Sequence, residues 1–242
     1  DTGVQGIIVE IPSSEHIIEK AYGWPLEKAM ELSVSATARA HELGLYTVFF
    51  PIDASRAEMG WFLSLIEKVA TDGHMDALAC VDTFGGCSPH AIPFFVREAK
   101  KKLPGKPIEL HLHDDFGMAV AATIAGLAAG ADVAHVTVSG IGERAGNAAL
   151  EDTVMALRTM YDVDCGIDTT KFCELSHMVQ EASGFRVPPN RAIVGERLFN
   201  IESGIVAAWA QACREDNWLE LFPYRWEMVG QSAPEIVLGK HS

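Results

Sequence analysis

Ile108-Glu109-Leu110-His111-Leu112-His113-Asp114-Asp115 and, beyond a short helix pattern, Ser139-Gly140-Ile141-Gly142-Glu143-Arg144-Ala145-Gly146-Asn147 are the stretches on which the fold of this chain turns. The first reads as a strand, with branched and leucine side chains leading into two histidines. Residues i and i+2 of a strand point to one face, so His111 and His113 project side by side. The acidic pair follows as the strand runs out. Two imidazoles held this way are half of a site for a borderline or hard divalent ion if oxygen ligands complete it; an incidental His-x-His pair is the competing explanation. The second stretch is too rich in glycine for a helix and too polar for a core, so it is a loop. It begins where the apolar run Val133 to Val138 ends. Both stretches sit at the C-terminal ends of apolar strands, where parallel α/β folds place their chemistry.

Outward from these stretches the chain alternates strand and helix. Gly6–Ile11, Leu45–Ile52, Ala77–Val81 and Val133–Val138 read as further strands. Helix patterns lie over Leu26–Leu43, Ala57–Ala70, Pro89–Lys102, Met118–Ala129 and Ala148–Met160, with Ser13-Ser14-Glu15 as the start of a short additional one. Gly44, Gly73 and Gly130 stand as stops, and Pro89 opens its helix. This is the rhythm of βαβ units in a parallel sheet. It breaks after Asp162. Thr169–Ser183 is one more helix pattern, and residues 185–190 read as a linker. From Ile193 onward there is a helix near Ile205–Arg214 and an apolar, tryptophan-bearing tail (Trp209, Trp218, Trp226) that needs burial, with no clear strand. The expected division is 1–184, a strand–helix domain, and 185–242, a linker and helical appendage.

Composition narrows the function classes. Net charge is −14, from 19 basic and 33 acidic side chains, and no basic stripe offsets it. That argues against nucleic acid and anionic membrane as partners. The five cysteines show no CxxC spacing and read as reduced thiols of a cytoplasmic protein. No apolar run reaches the length of a membrane span. The abrupt start on Asp1-Thr2-Gly3 and the end on Lys240-His241-Ser242 give both ends the look of cuts.

His111-Leu112-His113-Asp114-Asp115-Phe116-Gly117 and Gly140-Ile141-Gly142-Glu143-Arg144-Ala145-Gly146-Asn147 together resemble the two fingerprints of the isopropylmalate, homocitrate and citramalate synthases. These belong to the pyruvate carboxyltransferase-like, metal-dependent TIM barrels that also include hydroxymethylglutaryl-CoA lyase. Asp53-Ala54-Ser55-Arg56 and Asp82-Thr83-Phe84-Gly85 resemble two further strand-end motifs. Ile193-Val194-Gly195-Glu196, Glu202-Ser203-Gly204-Ile205 and Leu238-Gly239-Lys240-His241-Ser242 resemble the region after the barrel. The resemblance implies an α/β fold: a partial (β/α)8 barrel holding about strands 4 to 8, with a mainly helical C-terminal appendage. The first three strands would lie outside the chain, and with them an aspartate metal ligand.

By the same resemblance His111, His113 and Asn147 are metal ligands for Mn, Mg or Zn, with Asn147 also suited to capping the helix after it. Asp114 and Asp115 would support the histidines from behind, or serve as caps and solvated loop acids. Thr83 would bind the substrate carboxylate, unless it is only a turn residue. Glu143 and Arg144 would order the glycine loop in a catalytic role or form a plain surface pair. Cys80 and Cys87 read as packing residues, and the glycine loop lacks the catalytic cysteine of the lyases. The synthases carry polar groups at positions matching Ile8, Phe50 and Ile52, and histidines at those of Ile201 and Val206. Glu10, on the strand parity of Ile8, is the candidate replacement carboxylate, or pairs with a barrel cation. If Phe50 and Ile52 face inward, they and Ile8 on the adjacent strand wall the substrate pocket with apolar surface and favour hydrophobic 2-oxo acids. Against that, the Asp114-Asp115 pair is similar to that of homocitrate synthases, which take a diacid.

The expected function is therefore metal-dependent Claisen-type condensation of an acyl-CoA, acetyl-CoA foremost, with a 2-oxo acid, carried out by a homodimer. The alternatives are a carbon–carbon lyase or aldolase of the same superfamily, and a metal-binding homologue that has lost turnover.

Overall fold

Apolar segments of the N-terminal part pair into one parallel sheet in sequence order. The computed structural model describes residues 3–213 and 215–237. Within it β1 (Gly6–Pro12), β2 (Tyr46–Ile52), β3 (Ala77–Asp82), β4 (Ile108–Leu112) and β5 (Val133–His135) lie in the order β1-β2-β3-β4-β5. Each is parallel to its neighbour. Parallel neighbours need a crossover, here a helix: α1 (Glu15–Lys20) and α2 (Leu26–Glu42), then α3 (Met59–Asp72), α4 (Ile92–Lys102) and α5 (Ala119–Ala128).

Pro89 does not open its helix, since α4 begins at Ile92 with Pro93 in its first turn; other helix ends carry side-chain signals. The Ser14 hydroxyl accepts from the Ile17 N–H at 3.4 Å and caps α1. The Glu58 carboxylate accepts from the Trp61 N–H at 2.7 Å and caps α3. Lys100, Lys101 and Lys102 end α4, where positive charge meets the negative end of the helix dipole.

Alternation along the strands gives the sheet two different faces. On one, Phe49, Leu78, Leu110 and Leu112 pack against Phe62, Leu65 and Ile66 of α3 and Ile92, Phe95 and Val96 of α4. On the other, Val48, Phe50, Ala77, Ala79 and Val81 form a smaller cluster joined by Ile52. Every residue of β3 is buried, whereas Ile7 and Ile8 of the edge strand β1 are about half exposed.

β5 is shorter than the run Val133–Val138 predicts. Its ladder with β4 stops at His111↔His135, and Val138–Gly140 is a 3-10 turn. The reason is competition for the edge of β4. The end of the glycine loop comes back to it, with the Ala148 N–H donating to the Leu112 carbonyl, the Asp114 N–H to the Gly146 carbonyl, and His113 bridging Asn147.

Residues 1–148 form one compact unit and residues 149–242 a second. In the second, α6 (Leu150–Met160), α7 (Phe172–Ser183) and α8 (Gly204–Ala212) are joined by a parallel pair of two-residue strands, β6 (Asn200–Ile201) and β7 (Glu235–Ile236). That pair corrects the expectation of no strand after Ile193; two residues are too few to show an alternating pattern. Val154, Met155, Phe172 and Cys173 share a core with Val194, Phe199, Trp226 and Val229, and Trp218 packs against it. The break of the strand–helix rhythm after Asp162, and the expected boundary at Gly184, both lie inside this unit. Trp209 stays 55% exposed on α8, which has no buried residue. Arg214 and the Leu238–Ser242 motif lie outside the described residues. Among the described residues no helix is long and apolar enough to cross a membrane.

Candidate metal and substrate site

β4 divides its side chains by parity. Leu110 and Leu112 enter the helix-side core, which leaves Glu109, His111 and His113 for the opposite face. His111 meets aromatic rings on three sides: Phe50 edge-on at 4.9 Å, His113 at 5.3 Å and His135 at 5.5 Å between centroids. Asn147 completes the enclosure, its Nδ2 3.4 Å from His111 Nε2. Burial, then the positive charge that His135 and His113 would carry, pushes His111 down to about 4. The ring is therefore neutral at physiological pH, the form that ligates metals.

Sequence reasoning missed two members of this cluster. His135 is the register partner of His111 across β4 and β5, with the two Nδ1 atoms 3.3 Å apart. Its Nε2 lies 2.7 Å from Glu109 Oε2. Both residues hold strand parity with the His-x-His pair, but nothing in a single sequence fixes the register that brings them together.

The glycine loop is shaped around Asn147. A Cβ on Gly142 would lie 2.2 Å from Asn147 Oδ1, so only glycine leaves room for that oxygen. Gly146, at φ +89°, would put a Cβ 1.8 Å from the Gly140 carbonyl oxygen. Arg144 is turned away from the cavity. Its guanidinium donates to both Asp115 oxygens at 2.8 and 2.9 Å and to the Thr83 carbonyl, and it lies over the Phe84 ring at 5.2 Å. That contact holds the Asp115 carboxyl below the usual carboxylate range. Asp114 accepts from the Ala119 N–H at 2.7 Å and so caps α5. Among the described residues neither acid is hydrogen-bonded to a histidine ring, and Asp114 takes the alternative role of a cap for the next helix. Their short side chains follow the strand end and reach the neighbouring loop and helix instead.

A cavity of about 560 Å³ opens on this face, lined by Glu10 of β1, Phe50 and Ile52 of β2, Val81 and Thr83 at the end of β3, and His111 and His113. Thr137, Ile141, Gly142, Glu143 and Asn147 close it from the loop side. Of the residues expected here, Ile8 and Arg144 are absent from the wall: Ile8 sits lower on the edge strand, opposite Val48, and Arg144 is held by Asp115. Glu143 touches the cavity with a side chain that is otherwise in solvent. Thr83 Oγ1 accepts from the Asp53 N–H at 2.8 Å, which leaves its own O–H to donate elsewhere. Asp53 is fully buried and takes Arg56 through both oxygens at 2.7 and 2.8 Å. Asp82 accepts from Ser55 and from the Gly86 and Cys87 N–H groups. Asp53 and Asp82 thus build the strand ends, and Thr83 is the member of the two motifs that lines the cavity. Cys80 and Cys87 are packing residues, with thiols pushed up by burial to about 12 and about 11.

His111, His113 and Asn147 fit part of a divalent-metal site. His113 Nδ1 is buried without a hydrogen-bond partner among the described residues, His111 is neutral, and Gly142 makes space for the Asn147 oxygen. Imidazole nitrogens with an amide oxygen are a donor set for Mn, Mg or Zn. Among the described residues no group of three His, Cys, Asp or Glu makes a complete site.

Sheet, crossovers and strand-end cavity define a partial (β/α)8 barrel with its site at the C-terminal strand ends. The chain belongs to the HMGL-like family, whose model matches residues 1–179. It is 38% identical over its whole length to a probable 2-isopropylmalate synthase of Ignicoccus hospitalis and 40% identical to a homocitrate synthase of Methanopyrus kandleri. A putative (R)-citramalate synthase of Archaeoglobus fulgidus is 39% identical, again across the whole chain. The chain spans 59% of the first two relatives and 48% of the third. Among solved structures, hydroxymethylglutaryl-CoA lyase from Pseudomonas aeruginosa superposes with a TM-score of 0.69 at 19% identity, over 81% of this chain and 68% of that one. At that identity the likeness concerns the fold alone.

Proposed function

We propose that the full-length protein condenses an acyl-CoA, acetyl-CoA foremost, with a 2-oxo acid in a metal-dependent Claisen-type reaction. The observation that carries this is the cavity wall on which His111, His113 and Asn147 stand beside Thr83 and Glu10. The relatives named as isopropylmalate, homocitrate and citramalate synthases support it. A divalent ion (Mn, Mg or Zn) bound there supplies Lewis-acid polarisation of the 2-oxo group. His111, His113 and Asn147 Oδ1 would hold it. Thr83 donates its hydroxyl proton to the substrate carboxylate. Glu10, opposite Phe50 across β1 and β2, is the candidate base for the acyl-CoA methyl group. Glu143 guards the rim, and Arg144 acts through Asp115 by fixing the loop.

Thr137 apart, the remaining side chains of the wall are apolar. Phe50, Ile52 and Val81 offer no partner to a second carboxylate, whose burial without one costs several kcal/mol. An alkyl group there gains roughly 0.8 kcal/mol per buried methylene. The site therefore suits a branched 2-oxo acid better than 2-oxoglutarate. We also assign residues 185–242 as a linker and mainly helical post-barrel segment that shares its core with α6 and α7, and a homodimer as the assembly, because α8 leaves Ile205 and Trp209 exposed. A monomeric mass for the full-length protein at micromolar concentration would refute the dimer.

The decisive assay is thiol release from acetyl-CoA by the metal-loaded full-length protein with a panel of 2-oxo acids. Release that depends on a 2-oxo acid is the expected result. Cleavage of a 3-hydroxyacyl-CoA or a 4-hydroxy-2-oxo acid without such release would replace condensation by the lyase direction. Metal binding with neither activity would leave a homologue without turnover.

A further inference from the structure

His111 offers a metal one of two ring nitrogens, and which one is free depends on which carries the proton. Three contacts run in series through the barrel face. Glu109 Oε2 lies 2.7 Å from His135 Nε2, His135 Nδ1 lies 3.3 Å from His111 Nδ1, and His111 Nε2 lies 3.4 Å from Asn147 Nδ2. A carboxylate only accepts, so His135 Nε2 must carry hydrogen. Neutral His135 then has a bare Nδ1. Two ring nitrogens in contact need one proton between them, so His111 Nδ1 carries it and donates. His111 Nε2 is left bare, and the Asn147 amide N–H points at that lone pair. All three contacts of the series agree on one proton arrangement.

We propose that Glu109 and His135 are positioning residues that hold His111 in the Nδ1–H tautomer, with Nε2 presented toward Asn147 as the ligating nitrogen. A ligand histidine whose second nitrogen donates into a hydrogen-bonded chain ending on a carboxylate has its tautomer and ring plane fixed before metal arrives. Phe50 locks the pair mechanically: it lies edge-on to His111 and parallel to His135, at 6.4 Å and 7°. The Glu109 side chain is 10% exposed and that of His135 23%, so little water competes for the bonds. The alternative arrangement makes His135 a cation that donates to His111 Nδ1. It would put the proton on His111 Nε2 and point it at the Asn147 amide, blocking the same nitrogen. The consequence for metal rests on the site proposed above; the tautomer does not.

The test is long-range proton–nitrogen NMR of the metal-free full-length protein labelled with ¹⁵N-histidine, His111 being assigned by its loss in His111→Asn. The wild type should show His111 protonated at Nδ1 and bare at Nε2. Glu109→Leu and His135→Phe, which keeps a ring against Phe50, should each convert His111 to a tautomer mixture. Both should weaken Zn or Mn binding by about 10- to 100-fold, the usual range for such outer partners. Glu109→Gln keeps an acceptor and should retain most of the wild-type pattern. A wild-type His111 protonated at Nε2 would overturn the proposal without recourse to any variant. So would an unchanged His111 pattern in folded Glu109→Leu or His135→Phe. If the wild type shows the expected tautomer but binds no metal, the metal site falls and the relay stands; if metal binds through His111 whatever its tautomer, the relay falls alone.

Discussion

Gly142 and Asn147 fit each other as an absent side chain fits a present one: the space a Cβ would take at Gly142 is the space that Asn147 Oδ1 fills, 2.2 Å from the ideal Cβ position. The overlap falls on the oxygen assigned to the metal. Gly142→Ala should rotate or expel the Asn147 amide and lower Mn or Zn affinity by at least about tenfold, comparable to losing a supporting partner. Titration of the apo protein with metal measures this, and an affinity equal to wild type would show that the amide oxygen is not a ligand.

Phe50 is both wall and brace. Phe50→Ser removes the ring that packs on His111 and His135 and places a hydroxyl in the cavity. Preference for a branched-chain 2-oxo acid over 2-oxoglutarate should fall about tenfold or more, the scale of a small change in an apolar pocket. Competition binding to the metal-loaded full-length protein reads it. Tighter binding of 2-oxoglutarate to the wild type would mean that the substrate tail points elsewhere.

Asp132 ties the start of β4 in place. Its carboxylate accepts from the Ile108 N–H at 2.8 Å and from Lys100 at 2.9 Å. The backbone bond, and then Lys100, hold this carboxyl below its ordinary value of 3.8. A depressed folded value means that the stabilisation is full above the unfolded value and is lost as pH falls through the folded one. Asp132→Ala should cost on the order of 1 kcal/mol at neutral pH, the net worth of such a bond. The gap in urea midpoints should close in acid below the ordinary carboxylate range. A gap independent of pH would assign the loss to packing.

The cysteines should separate by burial. Cys165 is exposed, whereas Cys80 and Cys173 are buried, with thiols pushed up to about 12 and about 11. Only the thiolate reacts with alkylating agents. Iodoacetamide at mildly alkaline pH should label Cys165 first and leave Cys80 unmodified until the chain unfolds. Peptide mass mapping checks it, and early modification of Cys80 would show that the helix-side core opens locally.

What the sequence determined by itself is local. Strand parity placed His111 and His113 on one face, glycine content made 140–146 a loop, and strand–helix alternation required a parallel sheet. Each follows from spacing within a few residues, which the chain cannot change without changing its sequence. Register and return contacts were decided only by the tertiary structure. Pairing His111 with His135 rather than a neighbour depends on how β5 docks on β4, and a slip of one residue would turn the opposite face of β5 inward. Glu109 looked like one more strand residue until that register gave it His135. Arg144 had one acidic neighbour in sequence, Glu143, and found Asp115 because the loop folds back across the end of β4. Likewise Val154 and Phe172 share a core with Trp226 through contacts that span more than a helix and its turn, beyond what any periodic pattern encodes.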